Sequence, residues 1–167
     1  MGTITFSLNG APGNYFFVSF LDHDIGPFPF DSNTGFSFGT PGLGQTWQLG
    51  PPGYPGDGGD TFLMFVGNTL KNLNEIEPGE YGDISAALGW DFFLPQGYQA
   101  VITLSVTDTV PTSSFYLSEF DEATGQIIYL SQDLELQPTT IPEPGTFLLL
   151  GTGLACAVAW ARRRLLP

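Results

Sequence analysis

Gly35-Phe36-Ser37-Phe38-Gly39 spells Gly-x-Ser-x-Gly, the pattern that lifts a nucleophilic serine out of a hydrolase sheet. That chemistry needs a sharp strand-to-helix turn at the serine and a base histidine later in the chain. Here His23, the only histidine, precedes Ser37, and the flanking residues have strand and loop character. The segment is therefore read as an ordinary strand with Phe36 and Phe38 on one face. A second set is acidic: Asp22, Asp24 and Asp31 around His23, with Asp57, Asp60, Glu119, Asp121 and Glu122 elsewhere. Carboxylates and carbonyls on loops are what calcium takes as ligands. Twelve positions counted from Asp22 end on Asn33 instead of the bidentate Glu of a complete calcium loop. Asp22, Asp24 and Asp31 thus stand as weak calcium ligands at most, and no other cofactor is expected. One His and one Cys rule out an ordinary zinc site. A third set is aromatic. Trp47 and Tyr54 lie in a Gly/Pro-rich stretch and could stack on sugar rings, with Trp90 as a further candidate; filling a core is the competing use of such side chains.

The fourth set lies at the C-terminus, in "IPEPGTFLLLGTGLACAVAWARRR", Ile141 to Arg164. Pro142 and Pro144 hold the start extended and non-helical around Glu143. Thr146 to Ala161 is an uncharged apolar run of 16 residues. As a helix it would reach about 24 Å, against about 30 Å for a bilayer core. Arg162, Arg163 and Arg164 close it beside Trp160, an aromatic and cationic boundary of the kind found where a span meets the cytoplasmic face. Snorkelling arginines make up for the short run. The alternative, a buried C-terminal helix of a soluble domain, leaves that boundary without a purpose.

Pro142-Glu143-Pro144, then Gly145-Thr146, a Leu-rich run and an arginine cluster closely resemble the PEP-CTERM sorting signal of Gram-negative bacteria. The resemblance implies that a membrane-embedded exosortase recognises the Pro-Glu-Pro strip and removes the tail. It implies a passing inner-membrane intermediate with the body outside and the arginines as a cytoplasmic stop. It also implies a mature protein at the surface or in the matrix of an exopolysaccharide producer. It covers about 24 residues and concerns destination, not activity. Such proteins begin with a secretion signal, whereas MGTITFSLNG has neither a basic nor an apolar leader region. A truncated or misassigned start, or a chain beginning at the mature residue, is the expected explanation.

Charge supports this division. One lysine against sixteen acids leaves residues 1–140 at −15, and three arginines against Glu143 give the tail +2, for −13 overall. A body so acidic repels nucleic acid, which is bound through Lys and Arg contacts to phosphate. Cys156 lies in the apolar run, so disulfides play no part.

The elements that position these residues are short strands. Thr3–Leu8 alternates polar and apolar residues before Asn9-Gly10, a turn pair. Tyr15–Leu21, Phe36–Phe38, Thr46–Leu49, Thr61–Val66 and Trp90–Leu94 follow. Gln99–Thr107 is the clearest, with Ile102, Leu104 and Val106 facing inward and Val101, Thr103 and Ser105 outward. Phe115–Phe120 and Gln126–Leu130 flank a hairpin turn ending in Gly125, and Leu134–Leu136 closes the sheet. Tyr81–Leu88 is the one place for a helical turn. Gly39–Asp60, with 8 Gly and 4 Pro in 22 residues, is expected as a surface loop.

The expected fold is all-β: a single β-sandwich, jelly-roll or Ig-like, over 1–137, then a linker over 138–145, then a transmembrane helix and Arg-rich tail over 146–167. The expected role is non-enzymatic, structural or adhesive, with an exosortase, the inner membrane and exopolysaccharide as partners. A calcium- or carbohydrate-binding module is the alternative.

Overall fold

The computed structural model describes residues 1–22, 32–53 and 61–139. Residues Met1–Gln137 form one compact unit; of the second, Pro138–Pro167, only its first two residues are described. In chain order the elements are β1 (Gly2–Asn9), β2 (Gly13–Asp22), β3 (Asn33–Gly39), β4 (Gln45–Gly50), α1 (Thr61–Gly67), β5 (Leu73–Asn74), β6 (Ser85–Leu94), β7 (Tyr98–Thr107), β8 (Phe115–Asp121) and β9 (Gln126–Pro138). The fold is all-β, as expected. A five-stranded sheet runs β1-β7-β9-β8-β3 and a four-stranded sheet runs β2-β6-β4-β5. The first four strands alternate between the sheets. Consecutive strands are therefore not neighbours, and most pairings join distant parts of the chain: β1 with β7, β2 with β6, β3 with β8.

The sheets face each other across one core. Trp47, Leu49, Ile84, Ala86 and Leu88 come from the four-stranded side, and Leu104, Phe115, Leu117, Ile128 and Leu130 from the five-stranded side. The period of two in β7 holds: Ile102 and Leu104 are buried and Val106 packs against the core. A polar clasp crosses the layers. The Gln132 carbonyl accepts from Gln45 Nε2 (3.0 Å) and Trp90 Nε1 (3.3 Å), and Gln132 Nε2 donates to Ser19 Oγ (3.1 Å). These bonds satisfy polar groups that would otherwise cost about 1–3 kcal/mol each when buried.

Three expectations are corrected. Thr61–Val66 is helical, not a strand. A six-residue apolar run carries no period that separates the two. Its site decides: on the outer face of the four-stranded sheet, one helical face sets Phe62 and Phe65 against Phe20, at ring distances of 5.5 and 5.6 Å. Asn68 (φ 49°) then stops the helix in the left-handed conformation. Conversely, Tyr81–Leu88 holds no helical turn; Ser85–Leu88 opens the buried central strand β6. Its Ala-Ala-Leu favours helix by propensity, yet β2 and β4 crowd it from both sides. A Cβ on Gly89 would lie 2.8 Å from Thr46 Oγ1 and 3.0 Å from Val18. Finally, Gly39–Asp60 is not all surface loop, because β4 within it is almost wholly buried.

β9 runs unbroken through both predicted pieces, Gln126–Leu130 and Leu134–Leu136. Among the described residues no helix is long and apolar enough to cross a membrane. The predicted transmembrane helix and Arg-rich tail, 146–167, lie outside them.

Candidate functional site

The last strand ends at Pro138, four residues before Pro142. Proline there removes a ladder donor and disfavours continued pairing. The sorting strip Pro142-Glu143-Pro144 and the stop Arg162-Arg163-Arg164 lie outside the described residues. The apolar pattern of the body is complete before them, since every core residue precedes Ser131.

Of the predicted calcium ligands, Asp22 is the last residue of β2, opposite Ser85. Asp24 and Asp31, like His23, lie outside the described residues. Among the described residues no three His, Cys, Asp or Glu gather as a metal site. Asp121 has a different occupation. Its carboxylate accepts from Ser32 Oγ, Thr124 Oγ1 and the Ala123 N–H (3.1 Å), while its carbonyl accepts from Gly125 N–H (2.8 Å). Ser32 and Thr124 hold its pKa below the usual carboxylate range, with help from the backbone N–H groups against the opposing effect of burial. This builds the predicted β8–β9 hairpin turn, with Gly125 at φ 70°. Beside it the Tyr81 phenol bonds to the Glu122 carboxylate, which raises the Tyr81 pKa because that bond favours the neutral phenol.

Ser37 sits mid-strand in β3 opposite Leu117, without the strand-turn-helix context of a nucleophile elbow. Trp47 is corrected as a sugar-stacking candidate. Only 8% of it is exposed and its ring packs on Phe115 at 5.5 Å, so it offers no open face. Tyr54 lies outside the described residues. Trp90 is half-buried, its indole N–H committed to Gln132.

The exposed aromatics are elsewhere. On the outer face of the five-stranded sheet, Phe36 (46% exposed) and Phe38 (41%) of β3 continue into Tyr116 of β8 and Tyr129 of β9. Centroid distances along this row are 6.4 Å for Phe36–Phe38, 5.1 Å for Phe38–Tyr116 and 5.7 Å for Tyr116–Tyr129. Sequence reading placed Phe36 and Phe38 on one face but missed the row. The alternation of Tyr116 and Tyr129 with buried Leu117 and Leu130 was the available signal; the register that aligns the three strands was not. The other half of this face is hydroxylic, with Thr3, Thr5 and Ser7 across from Ser105, Thr103 and Val101. On the four-stranded sheet a hollow of about 320 Å³ is lined by Asn14, Tyr15, Phe16, Asp91, Phe92 and Phe93.

Comparison with known families matches the PEP-CTERM protein-sorting motif to residues 140–164. The chain carries this sorting signal. The matched stretch contains the Pro-Glu-Pro strip, the apolar run and the arginine cluster in the expected order. No curated protein and no solved structure is a significant match to the chain.

Proposed function

We propose that this is a non-enzymatic surface or matrix protein, made by a Gram-negative exopolysaccharide producer and delivered there through its PEP-CTERM tail. The observation that carries the reading is the matched motif at residues 140–164, which implies export and processing by an exosortase. The tail divides the work by chemistry. Three arginines resist transfer through hydrocarbon at about 2.5–3.5 kcal/mol each, so they hold the C-terminus on the cytoplasmic side. The Pro142-Glu143-Pro144 strip stands outside, where the processing enzyme reads it. The body contributes a core built without disulfides and a strongly acidic composition, suited to solubility outside the cell.

The test separates the two parts in a host with the processing enzyme and a working secretion signal. Replacing Pro142, Glu143 and Pro144 by Ala leaves insertion intact and blocks cleavage, so full-length protein accumulates with its body outside. Replacing Arg162, Arg163 and Arg164 by Ser weakens retention and releases protein with its tail intact. C-terminal mass spectrometry and protease accessibility of the body read both outcomes. Normal cleavage of the triple-Ala variant would refute the strip as the recognised element.

A second reading is favoured by the outer-face row of exposed Phe36 and Phe38 with half-buried Tyr116 and Tyr129: an adhesive body that binds exopolysaccharide through aromatic contacts and tyrosine hydroxyls. Calorimetric titration with the host polysaccharide checks it, with Phe38→Ala and Tyr116→Ala expected to weaken the heat signal. Titration with calcium checks Asp22, Asp24 and Asp31 in the same experiment series.

A further inference from the structure

The two flanks of the body end differently. On one flank β3 and β5 are the edge strands of their sheets. β5 is two residues long, and Lys71 and Glu75 form an ion pair beside it (3.5 Å). The β3 carbonyls of Gly35 and Asn33 accept from Asn74 Nδ2 (2.9 Å) and the Gly82 N–H (3.0 Å). Brevity, charge and side-chain cover are the usual ways of closing a sheet edge. On the other flank the edges are β1 and β2, of 8 and 10 residues. No charged side chain occurs from Gly2 to Leu21, and neither strand contains proline. Among the described residues no strand pairs with their outer edges.

A second observation concerns side chains. Ile4 and Phe6 lie opposite Leu104 and Ile102 and share their inward face. Their partners are buried, yet Ile4 is 56% and Phe6 41% exposed. Phe6 meets Phe17 of β2 at 5.0 Å, so the two open edges lie on the same side of the molecule. Among the described residues the seam between the sheets is thus left open, apolar and bordered by two unblunted strands.

We propose that a second copy of this chain covers this seam, with β1 antiparallel to β1 about a two-fold axis and the β2 edges brought alongside. Three features select a second copy. An antiparallel pairing of a strand with itself is self-complementary, as a two-fold contact requires. With a net charge of −13, copies repel except where charge is absent, and the stretch from Gly2 to Leu21 is such a band. The area suffices: β1 spans about 27 Å, and a strip of that length across two layers, each about 10 Å thick and so about 20 Å wide together, covers roughly 500 Å² per copy. The total, about 1,000 Å², is at the lower bound for a specific contact, so the pair is weak and reversible. Because β3 and β5 are closed, assembly stops at two copies. The inference is independent of how the protein is sorted.

The full-length chain in density-matched detergent tests it. Sedimentation equilibrium is expected to give a monomer–dimer equilibrium that saturates at two. Ile4→Lys and Phe6→Lys, at already exposed positions, are expected to weaken it by about tenfold or more, since an edge lysine opposes pairing, with the far-UV spectrum unchanged. In a Cys156→Ala background, Thr5→Cys is expected to cross-link into dimers on oxidation and Ser37→Cys, on β3, to remain monomeric. A monomer at all concentrations, growth beyond two, undiminished association of the lysine variants, or equal cross-linking from Ser37→Cys would each overturn the proposal. If the lysine variants unfold, the cross-linking pair alone decides.

Discussion

The β3–β5 flank and the β1–β2 flank use similar strand chemistry to opposite ends. Both edges bear aromatic and β-branched residues. On the covered flank, Leu49 is fully buried, and the segment around Asn74 and Gly82 returns over the β3 edge to satisfy its carbonyls. On the open flank, Ile4 and Phe6 point between the sheets yet remain half in water. The difference teaches that facing inward does not place a residue in the core. Burial requires a neighbour on the far side, and at β1 the described chain supplies only part of one.

The largest effect should separate the flanks at their apolar residues. Leu49→Ala is expected to cost about 2–5 kcal/mol in denaturant unfolding, as buried leucine truncations do. Ile4→Ala in the monomer should cost well under about 1 kcal/mol, because the removed methyl groups were already largely hydrated. Equal losses would erase the distinction. A smaller contrast lies in the edge hydrogen bonds. Asn74→Ala removes the donor to the Gly35 carbonyl and the acceptor of the Ile76 N–H (3.0 Å), an expected loss of about 1–2 kcal/mol. Thr3→Ala removes only an exposed hydroxyl contact with Ser105 (3.1 Å) and should stay within about 0.5 kcal/mol.

The third contrast is visible only in acid. The Asp121 carboxylate, whose pKa is lowered chiefly by Ser32 and Thr124, stabilises the folded state above its unfolded pKa of about 3.9. That contribution is lost as pH falls through the lowered value. Asp121→Asn should therefore be less stable than the parent at neutral pH. The two unfolding curves should begin to approach each other below about pH 4 and meet only once pH has fallen through the lowered value, and a constant gap down to strong acid would show that the carboxylate charge is not the stabilising element.

What was legible in the body was local. Ile102, Leu104 and Val106 alternate with Val101, Thr103 and Ser105, and a strand half buried on one face must alternate so. Asp121 to Gly125 combined an Asp able to cap a turn with a Gly able to take positive φ, and the hairpin lies there. What was misread depended on partners distant in sequence. Phe62 and Phe65 became a helical face because Phe20, some forty residues earlier, needed cover. Ala86 and Ala87 entered a strand because β2 and β4 close in on both sides. Trp47, set among glycines and prolines, looked exposed until β4 was placed between β6 and β5, over Phe115.

The sorting motif, by contrast, was readable from the sequence alone, and the family match at residues 140–164 agrees. Such a signal is linear: proline stiffness, an apolar run and a positive end act in order along the chain and need no distant partner. The all-β class was likewise set by alternation and turn residues. Only the tertiary structure decided which aromatics are core and which form the surface row from Phe36 to Tyr129. It also decided which strand edges are closed, because those properties belong to pairings between strands many residues apart, and a period of two states that a strand has two faces without stating what lies against either.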